Sequence, residues 1–423
     1  MKNNGIKVLM TGFFGAGNVG DEAVCRAVVE GLRKVLHNPQ ISIITRSSDQ
    51  TASFAGITGV QTIQGFYPSL DFWRNSLRHL IAAARSDLIV VGGGGILQDV
   101  HSWTTTATHL LPACVGMLFG RMVVTVGMGV GPLNNPWLRR LVKDICCLMD
   151  RLQVRDESSR KTLIDCGVIS DKVAVTADVV LSLDLSVLSN NSLVSAGNCK
   201  SNHRIGFIIR EWPCLDVRGL IDVLRILLQN GYSIRLFCYE PKADSQLYQS
   251  LINQLPDKFS DNLDIYVPQN LNDAISSLRT VDALVAMRLH ACIFASMLGI
   301  NFLAMPYDLK VEQFIRQTGQ VDCLIPLNHI SPFVADKILG MVSEPPQFNA
   351  LLDKLKILTH TSEINFSSVA DTVRQKAYRY YYRRYIGLLW LIGLIVAGVF
   401  STVFSAFHYL RRRTLFRSSS GSR

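Results

Sequence analysis

The sequence predicts an α/β protein made of two doubly wound, Rossmann-like domains and a hydrophobic helix near the C-terminus. Three observations support this prediction. Short runs rich in Val and Ile alternate with helical patterns in the first half of the chain, and a second series of the same kind follows a polar stretch. The length of 423 residues suits two domains, and a hydrophobic content of 48% allows each domain to bury a core.

The first domain is predicted over residues 1–185. Its strand-like runs are continuously apolar instead of alternating, which is typical of parallel strands that are covered on both faces. Helical patterns separate these runs, so their order predicts a doubly wound parallel sheet. The first four runs lie at 6–12, 41–46, 87–95 and 121–131.

The second domain is predicted over residues 203–345, after a polar linker at 186–202. Two successive doubly wound domains resemble the GT-B architecture, in which the ligand cleft lies between the domains, at the carboxyl ends of both sets of strands. The predicted strands of the second domain lie at 203–210, 233–239, 263–267, 283–290 and 300–308.

The C-terminal part of the chain predicts a membrane helix. A helical segment at 346–384 leads to an uncharged, apolar run at 385–407, and a basic tail follows at 408–423. At about 1.5 Å per residue, the run is long enough to span a hydrocarbon core of about 30 Å. Aromatic residues and arginines flank it, as interfacial anchors do. A helix lying on the membrane surface is the alternative, but the run is apolar on all sides.

Charge and cysteine content exclude several classes of function. The formal net charge of +10 is concentrated late in the chain, where it flanks the apolar run. No motif of a nucleic-acid-binding protein accompanies it, so no nucleic-acid partner is expected. The ten cysteines lie mostly in apolar runs without metal-ligand spacing, which predicts buried thiols in a reducing compartment and no metal site. The N-terminus shows no pattern of a signal peptide.

The first glycine-rich motif, GFFGAGNVGDE at 12–22, follows the first predicted strand and begins the first helix. Glycines permit a close approach of a ligand, and a helix N-terminus favours anions. The match to a dinucleotide motif is weak, because the second strand ends at Arg46 without an acidic residue. A tight turn and helix capping are the structural alternatives. The candidate residues of this motif are Gly15, Gly17, Asp21 and Glu22.

Two further glycine-rich motifs follow buried strands. GGGGILQD at 92–99 predicts a loop over which a ligand passes, because four glycines contribute no side chains to a core. Its candidate residues are Gly93, Gly94 and Asp99, and Asp99 either orients a substrate hydroxyl or caps a helix. For GMGVGP at 127–132, a close-packed turn and ligand contact are equally good interpretations.

Basic residues and a histidine follow the strands of the second domain. Arg288 and His290 lie at a junction between strand and helix, with a spacing that lets both side chains share one face of an extended segment. Arginine offers a fixed fork for phosphate or carboxylate, and histidine transfers protons near neutral pH. A buried arginine or histidine whose hydrogen bonds are satisfied inside the protein is the structural alternative. Arg210 follows an apolar strand, with Glu211 as a possible ion-pair partner, and Lys310 begins a helix.

Together, these motifs resemble those of the polysaccharide pyruvyl transferase family. The residues that carry the resemblance are GFFGAGNVGDEA, GGGGILQD, RLHACIFASMLGI and PYDLKV, in an order and spacing that fit over roughly residues 6–345. The RLH block followed by PYD-x-K-V is the most specific part. The apolar run near the C-terminus lies outside the resemblance.

The resemblance implies a GT-B-like fold and transfer of pyruvate from phosphoenolpyruvate to a sugar, with formation of a cyclic ketal across two hydroxyls. It implies that His290 is the general acid and that Arg288 and Arg210 bind the donor anion. The charge of Lys310 near the cleft would help to bind an anionic donor. Phosphoenolpyruvate is then a co-substrate, and no other cofactor is expected. The acceptor would be a glycan of a cell-surface polysaccharide or its lipid-linked precursor.

Two other functions stay open on the sequence alone. A GT-B glycosyltransferase that uses a nucleotide sugar would share the architecture and the glycine-rich loops, and a non-catalytic scaffold would share the fold. Because phosphoenolpyruvate is an intracellular metabolite, we expect catalytic domains on the cytoplasmic side of the cell membrane, anchored by the single C-terminal helix.

Overall fold

The computed structural model shows two α/β domains that face each other across a cleft. It describes residues 5–64, 72–100, 103–186, 203–343, 348–375 and 388–393. Most of the linker predicted at 186–202 therefore lies outside the described residues. The α/β fold with parallel sheets that the sequence predicts is confirmed.

The N-terminal domain is built on a parallel sheet of seven strands within the described residues, in the order β3-β2-β1-β4-β5-β6-β7. Its central strands are buried on both faces, which explains why their sequences do not alternate. The strands are β1 Lys7–Thr11, β2 Gln40–Thr45, β3 Gln61–Gln64, β4 Leu88–Leu97, β5 Met122–Val130, β6 Leu152–Val154 and β7 Val173–Val175. The helices are α1 Val19–Val35, α2 Phe72–Arg85, α3 Trp103–Leu118, α4 Pro136–Leu148 and α5 Glu157–Asp165.

The C-terminal domain contains a parallel sheet that shows five strands in the described chain, in the order β10-β9-β8-β11-β12. The strands are β8 Arg204–Ile208, β9 Ser233–Phe237, β10 Leu263–Tyr266, β11 Ala283–Ala286 and β12 Asn301–Ala304. The helices are α6 Val217–Gln229, α7 Pro241–Asn253, α8 Leu271–Leu278, α9 Leu289–Leu298, α10 Leu309–Thr318, α11 Phe333–Ser343 and α12 Phe348–Arg374.

Each sheet reverses its strand order at one point, and these two points define the cleft. In the N-terminal sheet the reversal lies between β1 and β4, and in the C-terminal sheet it lies between β8 and β11. In open α/β sheets, ligands bind outside the carboxyl ends of the strands at such a point. Most of the candidate residues that the sequence indicated lie at the ends of β1, β4, β8 and β11 or directly after them, and Lys310 follows β12.

The two domains are in direct contact through α1. The backbone N–H of Val19 donates to the carbonyl of Tyr239 at 3.1 Å, and the guanidinium of Arg26 donates to Asn272 at 2.9 Å. One hydrophobic cluster contains buried residues of both domains, including Val24 of α1 and Ala291 of α9. The two domains therefore share one hydrophobic cluster.

Helix α12 returns from the C-terminal domain and packs on the N-terminal domain. The Phe366 ring fills the space that Gly31 of α1 leaves free. The amide of Asn365 accepts from the N–H of Gly127 and from the hydroxyl of Thr176, both at 2.8 Å, and donates to the carbonyl of Ala177 at 3.2 Å. Asn365 is fully buried, so these bonds fix β5 and the segment after β7 against the helix.

The predicted membrane helix at 385–407 is covered by the described residues only at 388–393. Here the Trp390 indole donates to the Asp144 carboxylate of α4 at 3.2 Å and packs edge-on against Trp137, with ring centroids 5.5 Å apart. Leu388, Leu389 and Ile392 are exposed. No helix found within the described residues has both the length and the apolar character required to cross a bilayer.

We expect Asn365→Ala to lower the free energy of unfolding by about 2–4 kcal/mol, because the Gly127 N–H and the Ala177 carbonyl would be left buried without a partner. Urea unfolding followed by circular dichroism measures the change. Ser367→Ala removes an exposed side chain from the same helix and serves as the control. Equal unfolding midpoints for the two variants would contradict the importance assigned to these bonds.

Candidate active site

A cavity of about 450 Å³ lies between the domains, at the carboxyl ends of both sheets. The N-terminal domain lines it with residues at the carboxyl ends of β4, β5 and β6 and directly after them, which include Gly95, Gln98, Gly129, Pro132, Arg155 and Asp156. The C-terminal domain lines it with residues after β8 and β12, which include Arg210, Trp212, Tyr307, Asp308, Lys310 and Gln313. Three cationic side chains from both domains thus border one cavity.

Arg210 is held in the cavity wall by aromatic rings. Its guanidinium lies 5.7 Å from the ring centroid of Trp212 and 5.3 Å from that of Tyr307. These two rings also contact each other edge-on, at 5.0 Å. Cation–π contacts of this kind fix the direction of a guanidinium and leave its N–H donors available.

Arg210 has no carboxylate partner within the described part of the chain, and its Nε is buried without a hydrogen-bond acceptor. The pairing with Glu211 that the sequence left open does not occur, and Glu211 is exposed. A cavity-lining arginine without an anion is suited to bind one from solution.

Lys310 lies in the first turn of α10, on the same side of the cavity. Its Nζ is 2.9 Å from a carboxylate oxygen of Asp308 and 5.5 Å from the ring centroid of Tyr307. Asp308 also caps α10 by accepting from the Lys310 backbone N–H. Burial favours the protonated carboxyl, but the charge and hydrogen bonds of Lys310 outweigh it and lower the pKa of Asp308.

Arg155 is a cavity residue that the sequence interpretation missed. It follows β6, and its guanidinium is bound by two carboxylates, Asp156 at 3.1 Å and Asp178 at 3.4 Å. A side chain on Gly129 would approach this guanidinium to 2.8 Å, so the glycine of GMGVGP makes room for Arg155. The signal that points to it is the Arg-Asp pair at the end of a buried strand.

His290 lies beside the cavity, in the first turn of α9. Its imidazole packs against the first turn of α1, where a methyl group on Gly20 would overlap the ring. Nε2 lies 3.8 Å from the Asp178 carboxylate, too far for a hydrogen bond, and it has no other partner in the described chain. His290 is thus connected to the cavity through Asp178 and Arg155.

The surroundings of His290 keep its ring neutral in the free protein. Burial lowers the pKa of His290 to about 4, and although the Asp178 carboxylate opposes this shift, the cations Arg155, Lys310 and Arg288 add to it. The histidine therefore needs a further negative charge nearby before it can carry a proton at neutral pH.

Arg288 does not line the cavity. Its guanidinium is buried and bound by two carboxylates of the C-terminal domain, Glu240 at 3.0 Å and Asp244 at 2.6 Å. Burial disfavours the charged form, but these carboxylates outweigh it and raise the pKa of Arg288. In this structure Arg288 supports the β11–α9 junction that carries His290, whereas Arg155 occupies the position facing the cavity.

Gly15 and Gly17 form the turn between β1 and α1, both with φ in the left-handed region. Glu22 closes this turn, because its carboxylate accepts from the Gly15 N–H at 2.7 Å. Burial raises the pKa of Glu22 to about 7, although the N–H groups of the turn oppose the shift. These residues shape the N-terminus of α1 and do not line the cavity.

The glycine run of the second motif continues β4 up to Leu97 instead of forming a free loop. Gly93 and Gly94 both have φ in the left-handed region. Gly93 lies against Val24 of α1, and Gly94 faces the Asp21 carboxylate. Burial, together with the charge of Glu22, raises the pKa of Asp21 to about 7, although Lys310 opposes the shift.

Asp99 fixes the rim of the cavity. Its carboxylate accepts from the backbone N–H groups of Asn134 and Asn135, both at 2.6 Å, and thereby holds the segment between Pro132 and α4. Of the two interpretations offered by the sequence, a structural one fits these bonds, although the capped segment precedes α4 and not the next helix.

Among the described residues, no group of three or more His, Cys, Asp or Glu side chains could hold a metal ion. The site is thus made of three cations that face one cavity, and of a histidine beside it.

Comparison with known proteins supports both the family and the fold. The model of the polysaccharide pyruvyl transferase family matches residues 18–308, more than half of the chain. No curated relative matches the chain.

Solved structures with a similar fold include a putative UDP-N-acetylglucosamine 2-epimerase of Listeria monocytogenes (11% identity, TM-score 0.61, covering 88% of this chain and 98% of that one). HepE of Anabaena, in complex with UDP and glucose, is similar at 12% identity, with a TM-score of 0.60 and 88% and 100% of the two chains covered. The UDP-GlcNAc 2-epimerase of Neisseria meningitidis, bound to UDP-GlcNAc, is similar at 16% identity, with a TM-score of 0.58 and the same coverage. At these identities the likeness shows the GT-B-type fold alone.

We expect inorganic phosphate to bind in the cavity and to raise the thermal unfolding midpoint of the wild-type protein. Arg210→Ala should weaken this binding more than tenfold, because a hydrogen bond to a charged group contributes about 1.5–3 kcal/mol. Arg225→Ala removes an exposed arginine that is paired with Asp222 on α6 and serves as the control. Equal phosphate affinities of the two variants would show that Arg210 is not an anion site.

Proposed function

The chain belongs to the polysaccharide pyruvyl transferase family, and on this premise we propose that it transfers pyruvate from phosphoenolpyruvate to a sugar and forms a cyclic ketal. The sugar is part of a cell-surface polysaccharide or of its lipid-linked precursor. The observation that carries the proposal is the unpaired guanidinium of Arg210, which shares a cavity with Arg155 and Lys310.

The charges of the cavity suit this donor. Phosphoenolpyruvate carries a carboxylate and a phosphate, and guanidinium groups bind both in bidentate fashion. Arg210 and Lys310 approach from the C-terminal domain, and Arg155 approaches from the N-terminal domain. We assign donor binding to these three residues, and we assign to Arg288 the support of the segment that carries His290.

The reaction requires one proton transfer to carbon. His290, charged once the donor anion lies nearby, protonates the methylene carbon of phosphoenolpyruvate, and the adjacent carbon becomes an oxocarbenium-like centre. A sugar hydroxyl attacks this centre, and the bond to phosphate breaks. The second hydroxyl then closes the ketal. Of the two protons lost by the hydroxyls, one replaces the proton given by His290 and the other leaves with phosphate.

A glycosyltransferase that uses a nucleotide sugar is the second candidate, because proteins of the same fold are seen with UDP and glucose or with UDP-GlcNAc. Donor binding separates the two functions without knowledge of the acceptor. By isothermal calorimetry of the purified protein, we expect binding of phosphoenolpyruvate that Arg210→Ala weakens and that UDP does not displace. Tight binding of UDP without binding of phosphoenolpyruvate would favour the glycosyltransferase.

We expect Gly20→Ala to lower turnover with phosphoenolpyruvate by about 100-fold, because a displacement of a catalytic group by about 1 Å has this effect. The new methyl group would displace the His290 ring, whereas the helical backbone at this position accepts alanine. Gly340→Ala adds the same group to a helix where it meets no atom, and it is the control. Phosphate release and circular dichroism measure activity and folding. Unchanged turnover in Gly20→Ala would remove His290 from the mechanism.

Membrane attachment through residues 385–407 is a separate part of the proposal. It is supported by the uncharged, apolar character of this run and by the exposed Leu388, Leu389 and Ile392 on the segment that Trp390 attaches to α4. Since phosphoenolpyruvate is intracellular, we propose that the catalytic domains lie on the cytoplasmic side of the cell membrane.

Truncation after residue 375 keeps α12 and removes the apolar run. We expect the truncated protein to leave the membrane pellet after centrifugation and to retain its activity on a soluble acceptor, because the cavity lies entirely before α12. A truncated protein that still sediments with membranes would show that the run is not the anchor.

A further inference from the structure

Asp178 occupies a position between the donor-binding cavity and the candidate acid. Its Oδ2 is 3.4 Å from Nη1 of Arg155 and 3.8 Å from Nε2 of His290. The other oxygen, Oδ1, accepts from the backbone N–H of Val180 at 3.1 Å. One buried carboxylate oxygen therefore faces both an arginine of the cavity and the histidine.

The backbone around Asp178 is held firmly. The hydroxyl of Ser362 donates to the carbonyl of Asp178 at 2.9 Å, and Asn365 donates to the carbonyl of Ala177. Since both Ser362 and Asn365 belong to α12 and are buried, the backbone that carries the Asp178 carboxylate is fixed, and only the side chain can turn between the two partners. The choice of partner then depends on Arg155 and His290 themselves.

Arg155 can give up Asp178 without losing all of its negative partners. Its Nε is bound by Asp156, whose other oxygen caps α5 through the Ser159 N–H at 2.7 Å. Its Nη1 is the atom that pairs with Asp178. A donor anion in the cavity would compete with Asp178 for this side of the guanidinium.

We propose that Asp178 is a positioning residue that couples donor binding to the acid: when Arg155 binds the donor anion, Asp178 turns from Arg155 to the Nε2–H of His290. This inference rests on the proposed function, because it takes the donor to be an anion and His290 to be the acid. Oδ2 of Asp178 is 3.8 Å from Nε2 of His290, and a movement of this oxygen by less than 1 Å brings the two atoms to hydrogen-bond distance.

The charges that face His290 make this coupling effective. In the free protein one anion, Asp178 after β7, faces the ring together with three cations: Arg155 after β6, Lys310 of α10 and Arg288 at the start of α9. A bound donor neutralises the charges of Arg155 and Lys310. The negative charge of Asp178 then has the largest electrostatic effect on the His290 ring. The ring takes up a proton from solvent while the donor is bound, which is the state that the reaction needs.

Two variants separate the coupling from a general loss of charge. Asp178→Asn and Asp156→Asn each remove one of the two carboxylates that pair with Arg155, and both keep an amide oxygen for the backbone N–H that they cap. Asp178 alone also faces His290. Asp156→Asn is therefore the matched control.

The titration of His290 is followed by NMR of the full-length protein labelled with ¹⁵N-histidine, and the signal is assigned by its loss in His290→Gln. We expect saturating phosphoenolpyruvate to raise the pKa of His290 by about one to three pH units in the wild-type protein and in Asp156→Asn. In Asp178→Asn this rise should be lost.

In steady-state kinetics, Asp178→Asn should lower kcat with little change in KM for phosphoenolpyruvate, and Asp156→Asn should mainly raise KM.

A rise of equal size in Asp178→Asn would overturn the inference, as would the absence of any rise in a wild-type protein that binds phosphoenolpyruvate. If phosphoenolpyruvate does not bind at all, the proposed function fails, and the same titration with inorganic phosphate still tests the coupling.

Should Asp178→Asn not fold, Arg155→Gln provides a second test. It frees Asp178 and should raise the pKa of His290 without any ligand, and an unchanged pKa would contradict the coupling.

Discussion

The contact between the first turn of α1 and the first turn of α9 is the constraint on which the rest of the site depends. The absence of a side chain at Gly20 lets the His290 ring lie against the N-terminal domain, and the Val19–Tyr239 hydrogen bond joins the domains beside it. Because of this contact, the strand ends of both sheets border one cavity. A histidine of one domain can thereby face a carboxylate of the other, Asp178.

The second general feature is the arrangement of ion pairs around the cavity. Arg288 and Arg155 are both buried and both paired with two carboxylates, but only Arg155 borders the cavity. A buried ion pair contributes little to net stability, and it costs much when one partner is lost. Around Arg288 such pairs hold a backbone junction in place. Around Arg155 they hold a cation and two carboxylates together at the edge of the cavity.

Much of the architecture could be predicted from the sequence, because buried parallel strands have a plain signature. The continuous apolar runs at β4 and β5 and the glycines that follow β1 place the cleft without any coordinates. The membership in the pyruvyl transferase family could likewise be inferred from the RLH and PYD blocks. These features can be recognised in the sequence because each is confined to one strand and the turn after it.

The partners of the charged residues could not be predicted in the same way. Arg288 and Glu240 are far apart in the chain, and no local pattern shows that Asp244 fills the other side of the guanidinium. The same holds for Arg155, which the sequence presents only as part of a short strand end. Contacts between elements that are distant in the chain decide which arginine faces a cavity and which is neutralised. These contacts are visible only in the folded structure.

The proposed reaction depends on the binding of phosphoenolpyruvate in a cationic cavity between the domains, beside a proton donor. It is tested most directly by turnover in D₂O, with phosphoenolpyruvate and a panel of pyranoside acceptors that offer two hydroxyls for ketal closure, and with analysis of the product by mass spectrometry. Protonation of the methylene carbon predicts one deuterium in the methyl group of each transferred pyruvyl group, together with release of phosphate. Products without deuterium in that methyl group, or glycosylated products formed from a nucleotide sugar instead, would contradict the proposed transfer of pyruvate.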